Sequence, residues 1–376
     1  MSYLSYKVRV PGKLMIAGEY AILEPNQKSV VIAVDRYVTA CIEPSKQNKI
    51  SLPKLGLEDI AWEINEGKVR FSIEDPRLDF IENSIFVVNQ FLEEKSIKII
   101  PFELQIKSEL DDPSTGEKYG LGSSAAVVVA AISAMLAIHS DGKKQPSLDK
   151  IFKLSAIAHL KSQKSGSGAD IAAAVYGGWL EYSAFMGKRV LSQLEQGIKL
   201  VEIVERDWAN LSIRKLTPPT SLKLAVGWTK SAVATAPMIR NIQNFREHNL
   251  EAYNQFLRES SIAVERLING FEVNDCIEVI NALKQNRKVL QKLGENARTD
   301  IETEKLKILC TIAEKFGGGK SSGAGGGDCG IAFLRDDIYK KNLYDEWEKA
   351  SIKPLALNIS EDGVLVREND SKLSFF

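Results

Sequence analysis

Over the first 45 residues the apolar positions follow a strand-like pattern. YKVRV, then KLMIAGEYAIL around a glycine, then SVVIAVDRYVTACIE with its β-branched residues, predict three strands. Residues 46–80 are polar and irregular, with a few strand-like pieces. The spacing predicts a helix over 81–95, after which PFELQIKSEL returns to a strand and DDPSTGEKYG forms a turn-rich loop. AAVVVAAISAMLAI is apolar on every side, as a helix buried in a core must be. SLDKIFKLSAIAHLKSQ predicts a second helix with Ser147 as its N-cap, closing in KSGSGAD before DIAAAVYGGWLEYS.

The paired prolines of NLSIRKLTPPT, at 210–220, mark the expected boundary between two domains, 1–217 and 218–376. Beyond it stand a strand (SLKLAVGW), a loop rich in serine, threonine and alanine (TKSAVATAP) and three helical patterns between about 238 and 316. A glycine-rich segment and a final strand pair near 328–334 and 363–367 complete the chain, an order that predicts an α+β second domain. The 376 residues are enough for two cores, since single cores stop growing at about 250–300 residues.

Composition narrows the function. With 49 basic and 49 acidic residues there is no global field to attract nucleic acid or an anionic membrane, so any anionic ligand needs a local site. No stretch nears the roughly 18 apolar residues of a membrane span, and the N-terminus lacks the apolar core of a signal peptide; a cytoplasmic protein is expected. Cys41, Cys276, Cys310 and Cys329 lie far apart, which suits reduced structural thiols. His139, His159 and His248 are equally scattered, and the sequence puts none beside a candidate nucleophile or in ligand spacing.

Three glycine-rich segments carry the chemistry: PGKLMIAGEY at 11–20, YGLGSSAAVVVAA at 119–131 and SSGAGGGDCGIAF at 321–333. In the second, Gly120 and Gly122 can take backbone angles closed to other residues, and the segment is either an ordinary loop into a buried helix or a turn that aims free N–H groups at a polyanion. The stretch at Lys320 fails as a Walker A loop because Glu314 stands where its first glycine belongs. Gly325, Gly327 and Gly330 match the dinucleotide fingerprint, but a helical pattern precedes them and a strand follows, the reverse of what it needs. Gly120, Gly122 and Ala125 match it too, without an acidic residue ending a strand about 20 residues later.

Lys13, next to Gly12, is either a solvated lysine near a strand start or a cation for phosphoryl transfer. Asp170 is either a helix cap or an active-site carboxylate, and Ser124 either caps its helix, binds Mg²⁺, or both. Glu19 is either a surface residue or a carboxylate supporting the site from behind.

PGKLMIAGEYAILEP, KYGLGSSAAVVVA and SSGAGGGDCGIA resemble the three motifs of the GHMP kinase superfamily, in the family's order. Within it, AVDRYVTACIEP, EKYGLGSSAAV, SGSGADIAAAVYGGW and VGWTKSAVATAPMI are most similar to the phosphomevalonate kinases, with the mevalonate kinases next. The resemblance implies an N-terminal domain like the second domain of ribosomal protein S5, a ferredoxin-like C-terminal domain, and an active site in the cleft between them. It implies ATP and Mg²⁺, phosphomevalonate as the acceptor on the mevalonate route to isoprenoids, and a monomer or homodimer. Carried over residue by residue, Lys13 and Asp170 would be catalytic, and Gly120, Leu121, Gly122, Ser123, Ser124 and Ala125 would wrap the ATP phosphates, with Ser124 at the metal. Lys13, Glu19, Tyr20, Ser167, Ser321, Ser322, Gly323 and Ala324 would face the acceptor. The acceptor's carboxylate and phosphate call for more cations, and Lys118, Lys164, Lys230 and Arg240 lie in or beside the relevant loops. The segment 317–327 is the expected hinged lid.

Overall fold

Alternating burial along the first strand sets the architecture: Val8, Val10, Leu14 and Ile16 point into a core, while Lys7 and Arg9 face out and Lys13 and Met15 are half-buried. The computed structural model describes residues 4–140, 146–231 and 235–369. Strands β1 (Tyr6–Ala17), β2 (Lys28–Pro44), β3 (Lys49–Leu52), β4 (Leu57–Asn65) and β5 (Lys68–Phe71) precede helix α1 (Asp79–Glu94) and strand β6 (Phe102–Ser108). Next come α2 (Ser123–Ile138), α3 (Leu148–Gln163), α4 (Ala169–Tyr176), β7 (Trp179–Ser183), α5 (Gly187–Glu195), α6 (Leu200–Glu205) and β8 (Ser212–Leu216). The second half holds β9 (Lys223–Trp228), α7 (Thr235–His248), α8 (Leu250–Glu272), α9 (Cys276–Ala297) and α10 (Glu304–Glu314). It continues with β10 (Gly317–Ser321), β11 (Cys329–Leu334), α11 (Ile338–Lys349), β12 (Lys353–Leu355) and β13 (Leu365–Glu368).

The larger sheet runs β13-β1-β2-β6-β3-β4-β5, with β7 pairing the first part of β2 and β8 pairing β7; all pairs are antiparallel except β3 with β6. The unusual length of β2 lets it hold β1 along one edge and both β6 and β7 along the other. Thirteen of the sixteen residues of α2 are buried, which explains its lack of a polar face. It lies between that sheet and helices α1, α3 and α4.

The smaller sheet runs β10-β11-β9-β12, entirely antiparallel. Its strands and intervening helices follow the β-α-β-β-α-β order of a ferredoxin-like unit, as the resemblance implies. Four helices rather than three fill 235–314, because Asn249 caps α8 immediately after α7 and so splits one helical pattern in two. The expected final strand pair does not form: β11 stays in the smaller sheet, whereas β13 pairs β1 in the larger one. Nor are residues 46–80 irregular, since β3, β4 and β5 extend the larger sheet outward.

A bulge between Pro11 and Gly12 shifts the β1–β2 register just before Lys13. Bulges re-aim side chains, and this one stands where the strand meets the cleft. The Lys13 amide donates to the Leu121 carbonyl at 2.8 Å, stitching the first glycine motif to the second.

Candidate active site

Behind the second glycine motif, Asp112 accepts hydrogen bonds from Tyr119 Oη at 3.0 Å and from Lys353 of the smaller sheet. The lysine beside it holds the Asp112 carboxyl well below the usual carboxylate range. Lys353 also lies 5.6 Å over the Trp228 ring, and Cys329 Sγ donates to the Tyr119 carbonyl at 3.0 Å. The loop is thus braced from both lobes. Gly122, at φ 78°, is the N-cap of α2 with no side-chain cap bond, so Ser124 lies inside the first turn and does not cap the helix.

Lys13 runs along this loop. A Cβ added to Gly122 would stand 2.8 Å from Lys13 Cγ, and one on Gly323 would stand 4.0 Å from Lys13 Nζ. The lysine stem therefore crosses the second motif and its ammonium reaches the third. Lys13, Glu19, Tyr20, Ser167, Asp170, Gly323 and Ala324 line one cavity of about 200 Å³, together with Met15, Ile22, Val31 and Ile239.

The remaining candidates fall elsewhere. Ser321 is buried in β10, and its carbonyl accepts from Lys320 Nζ at 2.7 Å. Ser322 uses its hydroxyl to join the lobes, donating to the Met15 carbonyl at 2.9 Å and accepting from the Met15 amide at 3.0 Å. Residues 317–321 form a buried edge strand and not part of a hinged lid, because their backbone pairs throughout with β11.

Glu19 is no surface residue. It is 2% exposed and paired with Lys320, which is itself fully buried, while Glu19 Oε2 has no partner. Its neighbour Tyr20 donates to the Ala324 carbonyl at 2.5 Å, and burial pushes that phenol up, so it remains a donor. Asp170 is in the first turn of α4, whose N-cap is Gly168; its Oδ1 accepts from the Ile171 amide at 2.9 Å, leaving the rest of the carboxylate toward the cavity. The Ser167 hydroxyl accepts from the Ala169 amide at 3.3 Å, and the Ser167 carbonyl accepts from Tyr182 Oη at 2.5 Å. Lys118, Lys164, Lys230 and Arg240 are all exposed; residues 232–234 of the loop after Lys230 lie outside the described residues.

Two residues at the site were not singled out from the sequence. His159 lines the cavity, its Nε2 3.3 Å from Ser124 Oγ, a neighbour the sequence did not show. Thirty-five residues separate them, so only the packing of α2 on α3 brings them together. Asp328 packs on the Gly120 backbone, where a Cβ would meet its carboxylate oxygen at 2.6 Å. Burial raises the Asp328 carboxyl above the usual range, against the pull of Lys13 and Lys118. An acid closing an otherwise uncharged glycine run was the available signal.

Gly120→Ala tests the loop. At φ 79° and against Asp328, a methyl group forces the loop to move, and the KM for ATP is expected to rise about tenfold or more with the fold retained by circular dichroism. An unchanged KM would mean that nucleotide phosphates do not lie on this turn.

Two domains with a ferredoxin-like second unit, and a lysine strung between glycine loops in the cleft, define a small-molecule kinase of one family. The descriptions "GHMP kinases N terminal domain" and "GHMP kinases C terminal" match residues 83–178 and 270–353, and the chain belongs to the GHMP kinases. Within them its similarity is to phosphomevalonate kinases: that of Streptomyces sp. (strain CL190) is 30% identical, the alignment covering 94% of this chain and 97% of that one. The structure of Streptococcus pneumoniae phosphomevalonate kinase in complex with phosphomevalonate and AMPPNP is 30% identical and superposes with a TM-score of 0.81, covering 94% of this chain and 99% of that chain. The Lin0012 protein from Listeria innocua superposes at 0.90 with 36% identity, over 97% and 100% of the two chains.

Proposed function

We propose that this chain transfers the γ-phosphoryl group of ATP to 5-phosphomevalonate, giving 5-diphosphomevalonate and ADP on the mevalonate route to isoprenoids. The observation that carries this reading is the course of Lys13 across the second glycine motif to the third, in one cavity with Asp170. An acceptor phosphate oxygen attacks the γ-phosphorus; the new O–P bond forms as the bond to the β,γ-bridging oxygen breaks, and that electron pair leaves with ADP. Two anions must meet for this, and a cation placed between them supplies the electrostatic help that such transfers rely on.

The acceptor phosphate has a second pKa of about 6 and is largely a dianion at neutral pH, so the reaction needs no strong base. Asp170 then serves to orient Lys13 or to hold the metal. A nucleotide-borne Mg²⁺ keeps most of its waters and takes one or two carboxylates besides the phosphates. Asp170 and Glu19, whose Oε2 is unpartnered, line one cavity and are carboxylate donors of that kind; Ser124 on α2 would add a hydroxyl, and the ion would supply charge neutralisation at the phosphates. Asp170→Asn is expected to lower kcat by about 10²-fold while the KM for ATP changes little, measured by steady-state kinetics; near-normal turnover would exclude an essential role for its charge.

The domain boundary at 217/218 belongs to the same proposal, supported by β8 ending at Leu216 in one sheet and β9 opening the other at Lys223. The four free, buried cysteines support a reducing compartment such as the cytoplasm.

ADP release is the test, with Mg²⁺-ATP and, in parallel, phosphomevalonate, mevalonate, diphosphomevalonate, homoserine and galactose. Turnover confined to phosphomevalonate is expected. Turnover with another acceptor alone would overturn the substrate, and no turnover with any of them would overturn the reaction.

A further inference from the structure

A serine hydroxyl has one proton and two lone pairs on a free rotor, so its usefulness to a ligand depends on what holds the proton. Ser124 sits in the first turn of α2 and makes no cap bond there. Among the described residues, its side chain hydrogen-bonds to His159. That imidazole is itself fixed: it is 4% exposed on α3, and its ring stacks on Phe80 of α1 with centroids 5.4 Å apart and an angle of 24°. A buried ring held face to face by a neighbour has little freedom to swing, so its Nε2 offers Ser124 a defined partner. His159 lines the same cavity as Lys13 and Asp170, and Ser124 stands directly behind it, 3.3 Å from its Nε2.

We propose that His159 is a positioning residue for Ser124: its Nε2 accepts the hydroxyl proton, which turns the oxygen lone pairs toward the metal carried by the ATP phosphates. This rests on the reading of Ser124 as a contact to that metal. With Nε2 as acceptor the imidazole is neutral and carries its proton on Nδ1, and no proton is transferred in the step. The arrangement also links α1, α2 and α3 to the nucleotide site, because Phe80, Ser124 and His159 come one from each helix.

The test is calorimetric titration of the full chain with AMPPNP, with and without Mg²⁺, for Ser124→Ala, His159→Leu and His159→Gln. Loss of an outer partner of a metal contact costs about tenfold or more in metal affinity. Ser124→Ala and His159→Leu are therefore each expected to weaken AMPPNP binding about tenfold with Mg²⁺ present and to leave metal-free binding within about twofold. His159→Gln, whose amide oxygen accepts the same proton, should recover most of the loss, and the double variant Ser124→Ala/His159→Leu should be no worse than Ser124→Ala.

If Ser124→Ala has no Mg²⁺-dependent effect, the reading of Ser124 fails and the inference falls with it. If Ser124→Ala shows the loss while His159→Leu binds normally, the inference alone fails. A rise in the KM for phosphomevalonate on replacing His159, without a Mg²⁺-dependent change, assigns the ring to the acceptor and equally overturns it. Should the leucine variant not fold, His159→Asn, too short to reach Ser124, replaces it in every arm.

Discussion

Lys13→Met lowers kcat by about 10³-fold or more and leaves the affinity for ATP within about threefold, because a cation at the transferred group acts chiefly in the transition state. The methionine keeps most of the stem that packs against Gly122, so the loop and its Leu121–Lys13 backbone bond remain in place. What disappears is the charge near Gly323, where the two phosphate groups would converge. Single-turnover measurements separate the chemical step from binding. A variant with normal kcat and a raised KM would show that Lys13 only holds a substrate, and it would remove the central element of the proposed mechanism.

Lys320→Met is expected to destabilise the fold by about 3–5 kcal/mol, read as a fall in the urea midpoint. Lys320 on β10 and Glu19 just after β1 are fully buried and belong to opposite lobes. Removing the ammonium strands a carboxylate whose second oxygen already lacks a partner. Burying a lone charge costs far more than an intact pair gains, so the loss exceeds anything expected of the exposed pairs such as Lys292 with Glu259. Glu19→Gln/Lys320→Met removes both charges and should recover at least about 1 kcal/mol relative to the sum of the single changes. Strict additivity would mean that the two side chains act independently. Since Glu19 also lines the cavity, the pair ties the stability of the lobe contact to the shape of the site.

The glycine motifs were legible because their demands are local. Gly120 and Gly122 do take positive φ angles, and the apolar run after them does form a buried helix. Ser147 caps α3 as its position before the helical pattern predicts, with its hydroxyl accepting from the Lys150 amide. Cys41, Cys276, Cys310 and Cys329 are free and buried. Glycine content misled at 317–321, where a lid was expected. There the close approach of α10 and β11, not backbone freedom, accounts for small residues: a Cβ on Gly319 would meet that of Ala313 at 2.6 Å.

Charge was the other place where sequence reading stopped short. Glu19 and Lys320 look like ordinary surface residues 301 positions apart, and nothing in either neighbourhood reveals that each is the other's buried partner. The same holds for Ser124 with His159 and for Asp328 with Gly120. Periodicity and turn chemistry act over a few residues, so the sequence by itself determined most of the elements, the geometry of the second glycine motif and the family to which the motifs belong. Which strand pairs β13, where Lys13 ends, and which buried groups meet in the cleft were decided only when two sheets and their helices packed, because those contacts depend on side chains brought together across hundreds of residues by the burial of a common core.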